Sequence, residues 1–136
     1  MGASRPSFGV AKPMKSGPGA KAADEEVEVP GGSYQDVGPQ ELNTMLAEKD
    51  FTFVNVHIPY EGEIAKTDEF IPYNEIEANL NQLPEDKDAK IVLYCQSDRM
   101  SRIAAEELVG LGYTNIWNLD GGMVGWEVAG YNVEGR

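Results

Sequence analysis

The chain has 136 residues, 41% of them hydrophobic, with 11 Lys and Arg against 23 Asp and Glu and a formal net charge of −12. That length supports one domain with enough core for a three-layer fold, and leaves no room for a second catalytic lobe. The acidic balance argues against nucleic acid and anionic membranes, which want a basic face, and no run approaches the roughly 18 apolar residues of a membrane-spanning helix.

Residues 1–33 hold ten Gly or Pro, one aromatic in Phe8, and Arg5, Lys12, Lys15 and Lys21 ahead of the acidic run Asp24, Glu25, Glu26 and Glu28. Such a composition buries too little apolar surface to offset chain entropy. The stretch is read as a disordered tail or tether, and whether it is native, added, or left after removal of an export signal stays open. No short apolar segment with a cleavage site follows Met1, which favours the cytoplasm, with an extracytoplasmic address if a signal has been removed.

From Tyr34 to Arg136 the pattern is that of one α/β domain. A short strand is expected at Tyr34–Val37, then a helix opened by Pro39 in its first turn with Leu42, Met45 and Leu46 facing the core. Phe51–Ile58, Ile91–Tyr94 and Asn115–Leu119 read as further strands separated by helical patterns. Helix Arg99–Leu111 is expected to bury Met100, Ile103, Ala104, Leu108 and Leu111 and to stop at Gly112. The alternation implies a parallel sheet with helices on both faces, and no internal repeat interrupts it.

The one cysteine, Cys95, falls between the apolar strand Ile91–Tyr94 and the helix from Arg99. A lone cysteine forms no internal disulfide, so its thiol is free for chemistry. Backbone N–H groups of a tight loop and of a helix N-terminus point at such a position and stabilise a thiolate, the nucleophilic form. In open α/β sheets, ligands bind beyond the carboxyl ends of the strands, where Cys95 lies. Between Ile91 and Gly135 the only basic residues are Arg99 and Arg102, four and seven positions after Cys95, in an otherwise acidic stretch. A local positive patch of that kind focuses a small anion onto the loop. The bland reading is a buried structural cysteine, the commonest setting for a free thiol.

The run Tyr94 Cys95 Gln96 Ser97 Asp98 Arg99 Met100 Ser101 Arg102, followed by Asn118 Leu119 Asp120 Gly121 Gly122 Met123 Val124 Gly125 Trp126, resembles the rhodanese family of sulfurtransferases. The resemblance runs from about Tyr34 to the end and is weakest between Asn55 and Tyr73. It implies a rhodanese-like three-layer domain over residues 34–136 and a persulfide on Cys95 as catalytic residue, in a thiosulfate sulfurtransferase-like enzyme. Gln96, Ser97, Asp98, Arg99, Met100, Ser101 and Arg102 are then the substrate-binding loop, their N–H groups stabilising moving negative charge. It further implies a small anionic sulfur donor such as thiosulfate, a thiol, cyanide or protein acceptor, no organic cofactor, and a monomer. His57 ends the strand Phe51–Val56 and is expected to be a hydrogen-bonded structural histidine, with a supporting role behind the nucleophile as the alternative.

Departures from the family pattern shape the rest. Asp98 stands where many members have Gly, so a carboxylate there is expected to repel a dianionic donor, with Arg99 and Arg102 offsetting it. Met100 replaces a charge or hydroxyl, and Asn55 Val56 His57 replaces the usual Asp, apolar, Arg. Related phosphatases place Arg six residues after the cysteine, where this chain has Ser101, so phosphate chemistry is out of register. One His and one Cys supply too few ligands for a metal centre, and none is expected. Trp117 and Trp126 are read as core aromatics. A reading from a different class is a non-enzymatic sulfur carrier or protein-interaction module on the same fold.

Overall fold

The computed structural model describes residues 24–136, so the expectation for residues 1–23 lies outside it. Six strands form one sheet: β1 (Asp24–Val29), β2 (Gly32–Val37), β3 (Thr52–Asn55), β4 (Glu69–Phe70), β5 (Ile91–Tyr94) and β6 (Ile116–Leu119), in spatial order β1-β2-β6-β5-β3-β4. Every pairing is parallel except β1 with β2, which form an antiparallel hairpin at one edge. Among the described residues the α-helices are α1 (Pro39–Ala47), α2 (Arg99–Gly110) and α3 (Gly122–Val128), with a 3-10 helix at Glu77–Gln82.

The three layers follow from which side chains each strand sends to each face. Val37, Phe53, Val92, Tyr94 and Leu119 pack with Leu42 and Leu46 of α1 and with Met123 and Trp126 of α3. On the opposite face Val54, Val56, Ile91, Leu93 and Ile116 pack with Ala104, Ala105, Leu108 and Val109 of α2. β5 is buried on both faces over all four residues, as a central parallel strand must be, which is why it reads as an unbroken apolar run.

Two expectations need correction. Residues 24–33 were expected in the tail, yet Asp24–Val29 is β1, paired along its whole length with β2, and Val27 and Val29 pack against the α2 side of the core. The hairpin turns at Pro30 and Gly31, the latter with φ +94. Four acidic residues within β1 mask a half-buried edge strand, whose alternation of Val27 and Val29 with Glu26 and Glu28 is the period-2 signal. Within α2 the buried stripe is Ser101, Ala104, Ala105, Leu108 and Val109, while Ile103 is 41% exposed. The helix is rotated from the expected stripe because Ser101 turns inward to Cys95 and Arg102 reaches back to β2. Its end is as expected: Gly112 has φ +101, its N–H donates to the Val109 carbonyl, and the Tyr113 N–H donates to the Leu108 carbonyl.

Candidate functional site

Cys95 ends β5 at the centre of the sheet, flanked by β6 on one side and β3 on the other. Its backbone is gripped from above by the start of α3. The Met123 N–H donates to the Cys95 carbonyl at 2.9 Å and the Val124 N–H to the Gln96 carbonyl at 2.9 Å. That approach explains the glycine pair. A Cβ on Gly122, which has φ +59, would lie 2.5–2.6 Å from backbone atoms of Cys95 and Gln96, and one on Gly121 would lie 3.2 Å from Gly125 Cα.

From Cys95 the chain curls around the sulfur before entering α2. The N–H groups of Asp98 and Ser101 donate to Cys95 Sγ at 3.1 and 3.3 Å, and Sγ lies 3.4 Å from Ser101 Oγ, which donates in turn to the Asp98 carbonyl. The N–H groups of Gln96, Ser97, Arg99 and Met100 take no hydrogen bond among the described residues. The loop therefore has two amide donors aimed at the sulfur and four without a partner among the described residues, as at any helix start. Cys95 itself is buried, 2% exposed.

The loop residues expected to bind substrate fall into two groups. Ser97 and Arg99 are exposed, and Arg99 makes no ion pair among the described residues. Gln96 is half-buried and accepts at Oε1 from Arg136 Nη2 at 3.0 Å. Met100 packs against the α2 side of the core and Ser101 is fully buried. Arg102 does not stand beside Arg99 as a free cation. Its guanidinium binds Asp36, Asp120 and the Tyr34 hydroxyl at 3.1–3.3 Å, with Asp98 at 3.8 Å. Burial works against its charge, but Tyr34, Asp36 and Asp98 hold the proton well above the usual arginine range. Arg102 ties α2 to β2 and β6.

Asp98 has φ +136, in the region that favours glycine. Its carboxylate points to the β6–α3 turn: it accepts from the Gly121 N–H at 2.9 Å and from Asn118 Nδ2 at 3.5 Å. Burial raises its pKa above the ordinary aspartate value, and the Gly121 N–H and Arg102 pull it back down.

β3 and β5 are adjacent, with Asn55 opposite Tyr94, so His57 lies on the loop that leaves the neighbouring strand. His57 Nε2 pairs with Glu61 at 3.0 Å and its backbone N–H donates to Asn55 Oδ1 at 2.9 Å, while Nδ1 is buried with no hydrogen-bond partner among the described residues. Trp126 is a core residue, 4% exposed, with Nε1 donating to the Asn132 carbonyl.

Two residues near the loop were given no role from the sequence: Arg136, which was not singled out, and Asn118, which was named only within the motif. Arg136 is brought to Gln96 because Glu134 and Glu63 exchange backbone hydrogen bonds at 2.8 and 2.7 Å, and its Nε pairs with Glu127 at 3.5 Å. Asn118, fully buried, donates to both Asp36 and Asp98. The signal for Arg136 was present, as the first basic residue after an acidic run of more than thirty positions. A cavity of about 420 Å³ lies elsewhere, between β2 and α1 beside Asp36 and Asp120, and does not include Cys95.

A protein named sulfurtransferase from Allochromatium vinosum is 30% identical over 95 residues, covering 67% of this chain and 86% of that one. The tRNA uridine(34) hydroxylase of Hamiltonella defensa is 28% identical over 111 residues, covering 77% of this chain but only 31% of its own length. Thus the chain spans about a third of the hydroxylases it matches. A crystal structure of a rhodanese-related protein from Thermoplasma volcanium superposes with a TM-score of 0.62 at 30% identity, over 72% of this chain and 95% of that one. The family profile of the Rhodanese-like domain matches residues 39–129, from the first turn of α1 to the end of α3, and the chain belongs to that family.

Proposed function

We propose that the protein is a sulfurtransferase that carries sulfane sulfur as a persulfide on Cys95. One observation carries this reading: the Asp98 and Ser101 N–H groups lie 3.1 and 3.3 Å from Sγ, inside a loop with four further amide donors unused. With thiosulfate as donor, the Cys95 thiolate attacks the outer sulfur. The Sγ–S bond forms, the donor's S–S bond breaks, and sulfite leaves with the electron pair. The terminal sulfur of the resulting persulfide is an anion, and the open amides of Gln96, Ser97, Arg99 and Met100 stabilise it. Cyanide or a thiolate then attacks that sulfur, leaves as thiocyanate or a new persulfide, and returns the Cys95 thiolate. Arg99 and Arg136 recruit the anionic donor; Arg102 supports the loop from behind.

Thiocyanate release from thiosulfate and cyanide tests the reading. The wild type should turn over, and Cys95→Ser should show none while keeping its melting temperature within a few degrees. Turnover unchanged in Cys95→Ser would remove the persulfide mechanism.

A second reading has its own support in the coverage of the hydroxylases, where a domain of this kind makes up about a third of a longer protein. Under this reading the present domain acts as a sulfur carrier or docking module. Slow turnover with thiosulfate, alongside a persulfide on Cys95 loaded by a protein donor, favours that reading.

A further inference from the structure

Asp98 stands in the middle of the sulfur-binding loop, yet its carboxylate is engaged away from the sulfur. The same residue contributes four contacts. Its N–H donates to Cys95 Sγ at 3.1 Å, its carbonyl accepts from Ser101 Oγ at 3.1 Å and from the Arg102 N–H at 2.9 Å, and its carboxylate accepts from the Gly121 N–H at 2.9 Å. The first half of the loop is already clamped, through the Met123 and Val124 N–H groups on Cys95 and Gln96. The second half has no such backbone clamp to the α3 turn, and its bend occurs at φ +136, a conformation that L residues rarely adopt without support. The Asp98 carboxylate supplies that clamp, because it ties the bend to Gly121, with Asn118 and Arg102 adding contacts at 3.5 and 3.8 Å.

We propose that Asp98 is a positioning residue for the sulfur chemistry: its carboxylate, held by the Gly121 N–H, fixes the bend that aims its own amide at Cys95 Sγ. This rests on the sulfurtransferase reading above and replaces the expectation that the carboxylate acts as an electrostatic brake on an anionic donor. The two accounts give opposite signs. A brake removed speeds loading by lowering KM, and the effect fades with salt. A clamp removed slows the chemical step at any salt.

The test uses the full chain as wild type, Asp98→Gly and Asp98→Asn. Glycine accepts φ +136 but removes the carboxylate, whereas asparagine tolerates positive φ and keeps an oxygen that can accept from Gly121. Steady-state turnover of thiosulfate and cyanide is measured at low and high salt, with melting temperature as a folding control. In parallel, Cys95 alkylation by iodoacetamide, an uncharged probe, is timed at pH 7. For Asp98→Gly a loss of about 10-fold in kcat is expected, with KM within about twofold at both salt concentrations, because a donor misaligned at the reacting atom lowers the rate of the chemical step. Asp98→Asn should keep kcat within about threefold of wild type, since the accepting oxygen remains. A kcat in Asp98→Gly equal to or above wild type, or a fall in Asp98→Asn as deep as in Asp98→Gly, overturns the proposal. A wild type that makes no thiocyanate overturns the sulfurtransferase reading instead. The clamp is then read from alkylation, which should slow in Asp98→Gly and not in Asp98→Asn; equal rates in all three proteins sink it.

Discussion

At the scale of single residues, the two arginines after Cys95 behave differently although they lie three positions apart. Arg99 at the first turn of α2 is exposed, while Arg102 is enclosed by Asp36, Asp120, Asp98 and Tyr34. Replacing Arg99 with Ala should raise KM for thiosulfate by about threefold at low salt and by less at 0.5 M salt, since exposed charges are screened beyond a few ångströms there. Arg102→Met should leave that KM within error but lower the melting temperature, because Asp36, only 8% exposed, loses its cation. An Arg102→Met protein with a KM as high as Arg99→Ala would show that Arg102 meets the donor after all. The sequence made Cys95, Ser101 and the loop legible because they are contiguous and their chemistry is local. It did not separate Arg99 from Arg102, since what distinguishes them is which strand lies beneath the helix. Asp36 is 66 residues from Arg102, and Arg136 is 40 residues from Gln96.

Elements were read best where burial is complete and worst at the edge. β5 coincides with its apolar run, Ile91–Tyr94, and α1 starts at Pro39 as expected. β1 was missed because an edge strand needs only one apolar face, and here Val27 and Val29 supply it among acidic neighbours. β4, only Glu69–Phe70, survives the irregular stretch after β3 by pairing with Val54 and Asn55. The α3 start carries the most exacting demand. A Cβ on Gly122 meets the Cys95 carbonyl oxygen at 2.5 Å, and the residue sits at φ +59. Gly122→Ala should cost roughly 2–4 kcal/mol, from left-handed backbone and overpacking together. That corresponds to a fall of about 10 °C or more in melting temperature for a domain of this size. Thermal melts followed by circular dichroism check this. The damage should also reach the loop, because Met123 and Val124 hold it; a variant that melts normally and turns over normally would show the contact to be slack.

For the whole molecule, charge and one buried phenol set the response to conditions. Residues 24–136 hold 7 basic against 23 acidic residues, so the body repels anions, and under the proposed function the donor is drawn in by Arg99 and by Arg136, which also pairs with Glu127 at 3.5 Å. The described residues contain no helix long and apolar enough to cross a membrane. Tyr94 lies under the sheet's far face with its hydroxyl accepting from the Ile64 N–H at 3.0 Å and 2.8 Å from Thr67 Oγ1. Burial pushes its pKa from 10.0 up to about 12. The native chain therefore keeps this proton where the unfolded chain has lost it. The stability that depends on it is whole below pH 10 and falls as pH rises from 10 toward 12. Urea midpoints measured from pH 8 to 12 should drop over that window in the wild type and drop less in Tyr94→Phe. Equal slopes in the two proteins would assign the alkaline loss to other groups.

The central claim is that Cys95 accepts and releases one sulfur atom inside a ring of backbone amides. Intact-protein mass after brief exposure to thiosulfate, then after cyanide, tests it most directly. Wild type should gain the mass of one sulfur and lose it to cyanide, and Cys95→Ser should gain none. An unchanged wild-type mass, or the same gain on Cys95→Ser, would contradict the account.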